Sequence, residues 1–298
     1  GVPSMYEGNE PTERDRGTYC TELFEREAVR FVHENHDEPF FLYLPFNAPH
    51  GASSLDPAIR SAAQGTDKYK AMYPHLEDSL RKGKRYGEDA MVASPSKRRL
   101  EYLAALTQMD AAVGSVLDLL DEYGIADETI VVFFSDNGGS GGSSNHPLRG
   151  GKSQMFEGGI RVCAAARFPG RIPAGSVSGQ FLTSLEVLPT LLNIAGVEPA
   201  ADLVLDGFDM LPVLAGGQDS PRREMFWKRR EMEAARVADW KWVRTADGEF
   251  LFHLAQDLGE KTNLAEQQPE KLAQMRQHFA RWQQQMEQAE PRGPFRDY

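Results

Sequence analysis

Three short runs in this sequence carry groups suited to chemistry on an anion. Ser135-Asp136-Asn137-Gly138-Gly139 sets a carboxylate beside an amide oxygen, hard donors of the kind that Ca²⁺ or Mg²⁺ takes. The same Asp-Asn-Gly-Gly string is also ordinary turn chemistry that needs no metal. Arg149-Gly150-Gly151-Lys152 joins two cations to two glycines, whose missing Cβ lets backbone N–H groups approach an anion. A glycine turn with exposed basic residues is the plain alternative. His50, after Ala48-Pro49, is placed to be a general acid or else a hydrogen-bonded structural histidine at a strand end. His146 is the other histidine near these runs.

The elements that would position them follow from hydrophobic patterning. Phe40-Phe41-Leu42-Tyr43-Leu44 and Ile130-Val131-Val132-Phe133-Phe134 are continuous apolar runs, the pattern of strands buried on both faces of a parallel sheet. The candidate residues lie beyond their carboxyl ends, where open α/β sheets hold ligands. A helix is expected over residues 22–35, with Thr21 as its N-cap and Pro39 as its stop; Leu23, Phe24, Ala28, Phe31 and Val32 form its apolar stripe. A second opens at Ser94-Pro95, carries Leu100, Leu103, Met109, Val113, Val116, Leu117 and Leu120 at helical spacing, and ends at Gly124. Residues 160–168 predict a strand. Leu185, Leu188, Leu192 and Ala195 predict a helix that Pro189 starts or kinks and Gly196 caps. Helix, strand, helix, strand is the order of an α/β domain with a mostly parallel sheet. Residues 225–227, 235–237, 241–244 and 250–252 then read as an antiparallel meander. A last helix runs from about Pro269 to Glu287, with Leu272, Met275, Phe279, Trp282 and Met286 on one face. The expected division is a catalytic α/β part over residues 1–215 and a small α+β subdomain over 216–298.

Composition narrows the class. The 298 residues are 41% hydrophobic and 26% charged, enough for a globular core, and no apolar run is long enough to cross a bilayer. A net charge of -11 argues against nucleic acid as a partner. Arg81-Lys82-Gly83-Lys84-Arg85 and Lys97-Arg98-Arg99 form either a solvated basic face or a rim that attracts an anionic substrate. Residues 51–95 have little periodicity, as a functional lid or a partly disordered loop would. Cys20 and Cys163 make neither a disulfide framework nor a zinc motif. Gly1-Val2-Pro3-Ser4 has no initiator methionine and no apolar leader, so the chain is expected to begin inside a longer protein.

Residues 40–50, 129–139 and 145–161 (NHPLRGGKSQMFEGGIR) resemble the formylglycine-dependent sulfatases, of the arylsulfatase and N-acetylgalactosamine-sulfatase type. The resemblance continues through Pro169-Gly170-Arg171-Ile172-Pro173-Ala174-Gly175, Leu188-Pro189-Thr190 and Asp239-Trp240-Lys241, and leaves out mainly residues 51–95. It implies an alkaline-phosphatase-like fold: a mostly parallel sheet flanked by helices, incomplete here at the N-terminus, then a small antiparallel sheet with one helix. It implies that Asp136 and Asn137 are ligands of one Ca²⁺ and that Lys152 binds the sulfate oxygens. His146 and Arg149 join Lys152 as substrate-binding candidates, and His50 protonates the leaving alcohol. The implied substrate is a sulfated small molecule or sulfated carbohydrate, and the implied compartment is periplasmic or secreted.

The pattern departs from that family at its nucleophile, a Cys or Ser in Cys/Ser-x-Pro/Ala-x-Arg that is oxidised to formylglycine. No aspartate pair precedes Asp136 to complete the calcium site, and Cys20 is followed by Thr-Glu-Leu-Phe. Cys163-Ala164-Ala165-Ala166-Arg167 matches the bare pattern, but it falls after the metal loop in an expected strand and reads as a buried structural cysteine. The nucleophile and the remaining ligands are therefore expected upstream of Gly1. This chain alone is expected to bind metal poorly, to turn over slowly or not at all, and to expose sheet edges. A phosphatase or phosphodiesterase of the same superfold is one rival, although such enzymes usually bring several His and Asp zinc ligands. A non-catalytic binding module that has lost the nucleophile is the other.

Overall fold

The computed structural model describes residues 5–51, 63–76 and 97–289. It forms two compact units, Gly1–Ile130 with Gly141–Ser144, and Val131–Ser140 with Asn145–Tyr298. The division expected at residue 215 falls inside the second unit. The Ser94-Pro95 helix start, the 81–85 basic run and most of the 51–95 stretch lie outside the described residues.

In the first unit, β1 (Tyr6–Glu7) and β2 (Glu10–Pro11) form a minimal hairpin before α1 (Cys20–Asn35), α2 (Asp67–Lys70) and α3 (Lys97–Glu122). Tyr19, not Thr21, occupies the N-cap of α1, because Thr21 is buried within the first turn. Leu23, Ala28 and Val32 of α1 are buried, and α1 packs with α3, which buries Leu100, Ala104, Ala105, Met109, Ala112 and Leu120. Two polar bridges set the register of the pair: Gln108 Nε2 donates to Glu22 at 3.1 Å, and Ser115 Oγ donates to Glu25 at 2.6 Å. Contrary to the expectation from apolar runs, α3 is long and apolar enough by length and composition to cross a membrane. A core helix passes that same test, and α3 has the buried face of one. Gly124 ends it with a φ of 69°.

Residues 40–44 differ from expectation. They join no ladder among the described residues, and Phe41 and Tyr43 are 70% and 74% exposed while Phe40, Leu42 and Leu44 are half-buried. The run has one covered face instead of two. Phe40 meets Phe31 of α1 edge-on at 5.8 Å, so the helix covers the inner side, and among the described residues no strand pairs with the run.

In the second unit, β3 (Val131–Phe134) pairs antiparallel with β4 (Ala164–Arg167), Val131 opposite Arg167 and Phe134 opposite Ala164. All the described ladders are antiparallel, and the parallel pairing expected of these apolar runs is not among them. The expected 160–168 strand is shorter: α4 (Glu157–Ile160), a single turn that buries Glu157, Gly158 and Gly159, takes its first residue, and Arg161, Val162 and Cys163 are irregular before β4. A 3₁₀ turn with a Thr183–Glu186 capping box leads into α5 (Val187–Ile194). Pro189 sits in its first turn, where no N–H is required, and Gly196 closes it at φ 65°. After α6 (Leu211–Leu214) the chain forms the expected meander, β5 (Glu224–Arg229), β6 (Met232–Val237), β7 (Trp240–Thr245) and β8 (Gly248–His253), then α7 (Pro269–Gln288).

This sheet is buried on both faces, which ties it to the candidate site. Phe226, Ala235, Trp242 and Leu251 pack under Met275 and Phe279 of α7, with Trp282 stacked on Phe226 at 5.4 Å. On the other face, Ala234, Val243 and Phe252 receive Met155 and Phe156 from the loop before α4. Each large apolar side chain buried this way contributes about 1.5–3 kcal/mol. The loop that carries Lys152 is therefore part of the sheet's core and not a free surface turn.

Candidate functional site

The loop after β3 and the loop before α4 are built into one another by backbone contacts. Ser135 N–H donates to the Cys163 carbonyl at 3.2 Å, Gly138 N–H to Gly159 at 3.0 Å, and Lys152 N–H to Gly139 at 3.2 Å. Asn145 clamps the pair: its Oδ1 accepts from Gly139 N–H at 2.9 Å, while its Nδ2 donates to the carbonyls of Gly139 (2.8 Å) and Gly150 (3.0 Å). Glycine at 138 is a steric requirement, since a Cβ there would lie 1.8 Å from the Gly158 carbonyl oxygen. Lys152 and the Asp136-Asn137 pair are thereby held at a fixed offset.

Asp136 is exposed, and the Asn137 amide donates to its carboxylate. Ser135 Oγ donates to the Asn137 carbonyl at 2.9 Å, which tightens the turn. The pair has the oxygen chemistry a hard cation takes, but calcium takes about six to eight oxygens. Among the described residues no cluster of three or more His, Cys, Asp or Glu is arranged to hold a metal. Asp136 and Asn137 therefore do not make a complete site by themselves.

The other candidate residues divide by environment. Lys152 is half-buried, and its ammonium makes no hydrogen bond or ion pair with a described residue. Arg149, two glycines away, points its charge inward. Its Nη1 donates to the Glu260 carbonyl at 3.0 Å, and the guanidinium lies 4.1 Å from the Phe156 ring centroid, with Phe250 at 5.0 Å. His146 is exposed at the start of this loop. His50 belongs to the first unit, where its Nδ1 is 2.8 Å from the Gly51 carbonyl. With Nδ1 carrying the proton of that bond, Nε2 is the ring nitrogen left for proton transfer. Cys163 is exposed and precedes β4, so it is not the buried cysteine expected. Burial pushes the Cys20 thiol up, away from the reactive thiolate.

Sequence reasoning missed what lies beneath the loop. Lys241 of β7 is fully buried, with Nζ 2.8 Å from Glu157 Oε1 and 3.0 Å from Glu260 Oε1. Glu260 Oε2 accepts the Glu157 N–H at 2.7 Å; its Oε1 faces the ammonium without the alignment of a hydrogen bond. Arg161 Nη1 approaches the second Glu157 oxygen at 3.5 Å. Burial pushes the Glu260 carboxyl up, and the Lys241 charge works against that shift. The available signal was parity: in a strand of period two, Lys241 falls on the same face as buried Val243.

A family model described as Sulfatase matches residues 3–197. The N-acetylgalactosamine-6-sulfatase of Canis lupus familiaris is 33% identical over 229 residues, which cover 74% of this chain and 37% of that protein. Arylsulfatase A of Homo sapiens is 41% identical over 128 residues, 41% of this chain and 25% of that protein. The chain thus spans well under half the length of these relatives. The crystal structure of Ps i-CgsB superposes with a TM-score of 0.76 at 28% identity, covering 93% of this chain and 57% of its own. BT4656, solved with its substrate D-glucosamine-2-N,6-O-disulfate, gives 0.64 at 19% identity, covering 92% and 71%. The fold is the alkaline-phosphatase-like α/β fold of these structures, with its C-terminal antiparallel sheet and helix.

Proposed function

The chain belongs to the sulfatase family, and from that premise we propose that its two interlocked loops are the anion-holding part of a sulfate-ester hydrolase. One observation carries the reading: half-buried Lys152 has no side-chain partner among the described residues, on a loop that glycine contacts lock to Asp136-Asn137. A preorganised cation of this kind stabilises charge that develops on ester oxygens without reorganising at the moment of reaction. His50 would protonate the departing alcohol as an imidazolium, with Nδ1–H donating to the Gly51 carbonyl and Nε2–H the proton given.

Asp136 and Asn137 would be two ligands of a Ca²⁺ site that takes its other donors from outside the described residues. Calcium would neutralise oxygen charge when bound, and a formylglycine outside the described residues would supply the attacking oxygen. Arg149 spends its charge on Glu260 and the aromatic rings, which supports a role in holding the loop; His146 stays a substrate-binding candidate. The proposed substrate is a sulfated carbohydrate or small molecule, and the proposed compartment is periplasmic or secreted. A carbohydrate is favoured because Ps i-CgsB has been solved with a neocarrahexaose. The test compares aryl sulfate with aryl phosphate turnover by the complete protein. Sulfate is expected to be the preferred ester, and preferential phosphate hydrolysis would sink the assignment.

A further inference from the structure

The chemistry proposed above needs Lys152 at a fixed place, and nothing in its own side chain provides that. The segment that carries it ends in α4, whose first residue is Glu157. Glu157 is joined to β7 through Lys241 and, by its backbone N–H, to Glu260 in the chain beyond β8. All three charged side chains are buried. The same segment is tied a second time by Arg149, whose partner is the carbonyl of that same Glu260. Between these anchors lie Gly150 to Phe156, with Lys152 among them.

We propose that the Lys241–Glu157–Glu260 triad is the positioning device of the anion site, so that the C-terminal sheet sets where Lys152 stands. The inference rests on the sulfate-ester reading for its chemistry, but the mechanical part does not. Glu157 and Glu260 are positioning residues: neither reaches an ester. A purely apolar contact would hold the segment less specifically, because Met155 and Phe156 can slide on an apolar face, whereas an ammonium between two carboxylates has one geometry. The backbone hydrogen bond from Gly158 to Arg149 closes the Lys152 segment, and the one from Gly138 to Gly159 passes that geometry on to the Asp136-Asn137 loop.

The test uses amide hydrogen exchange on this chain, followed by kinetics on the complete protein. In Glu157→Ala, the amides of Gly151, Lys152, Gln154 and Gly158 are expected to exchange about tenfold faster or more, while β5 to β8 and α7 keep their protection. If the alanine protein fails to fold, Glu157→Gln carries the test, since it keeps an acceptor for Lys241 and drops only the charge. Exchange about threefold faster at those amides supports the proposal; wild-type exchange with the sheet still protected overturns it. In the complete protein, Glu157→Ala should lower kcat per folded molecule by about 10- to 100-fold, more than it changes KM, with Glu157→Gln in between. A purely structural role would reduce only the amount of folded enzyme. Lys152→Ala separates the two readings. If it turns over normally, the sulfate-site reading fails while the exchange result stands. If it is inactive and Glu157→Ala is normal per folded molecule, the positioning proposal alone fails.

Discussion

Replacing Gly138 with alanine probes whether the two site loops are as tightly interlocked as their contacts imply. The added Cβ would meet the Gly158 oxygen at 1.8 Å, the Gly158 carbonyl carbon at 2.7 Å and Gly159 Cα at 2.9 Å. All three are backbone atoms, so no side-chain rotation relieves the clash. The loops must part by about 1.2 Å merely to reach the shortest contact a real Cβ makes. Such a movement breaks the Gly138 to Gly159 hydrogen bond and strains the Lys152 to Gly139 one, each about 1 kcal/mol net. Adding an overpacking penalty of about 1–3 kcal/mol puts the expected destabilisation at about 3–5 kcal/mol. All 4 tryptophans lie in the second unit, so their fluorescence during urea unfolding reports on that unit. A Gly138→Ala protein within about 0.5 kcal/mol of wild type would show that the loops are not in the contact described.

Two further outcomes follow from the same geometry. Arg149→Met keeps bulk and removes the charge, so the second unit should lose about 1–3 kcal/mol in the same urea assay. Unchanged stability with weakened sulfate affinity would instead make Arg149 a substrate ligand. Glu249 accepts from Arg276 Nε at 2.9 Å, and that arginine holds its carboxyl below the usual carboxylate range. A depressed folded-state value gives stability that is present above the unfolded value of about 4.3 and lost as pH falls through the folded one. Glu249→Gln should therefore cost about 0.5–1 kcal/mol at neutral pH and progressively less as pH falls through the folded-state value; a difference that does not shrink in acid contradicts the ion-pair account.

The C-terminal half was the most legible part of the sequence, because its burial follows simple periods. Trp242 and Val243 alternate toward α7 and the site loop, and Met275 and Phe279 lie one helical turn apart. Elements governed by what covers them were read less well. Apolar residues 40–44 carry the same composition whether one face or two is covered, and only the structure shows Phe41 and Tyr43 uncovered. Thr21 has good capping chemistry, but the stripe of α1 buries it. The candidate residues were found because their types are unusual together, whereas their support was not. Glu157 and Lys241 are 84 residues apart, Glu157 and Glu260 103, and a lone lysine in a strand ordinarily reads as solvent-facing. Asn145 gave no signal beyond its neighbourhood, although its side chain clamps both loops.

Lys152→Ala in the complete protein is the most direct test of the central claim. Its side chain has no partner among the described residues, so the fold should change by less than about 0.5 kcal/mol. Aryl sulfate turnover should fall by about 100- to 1,000-fold, the usual loss when one preorganised group that stabilises oxyanion charge is removed. A folded Lys152→Ala protein that hydrolyses aryl sulfate at the wild-type rate would contradict the account.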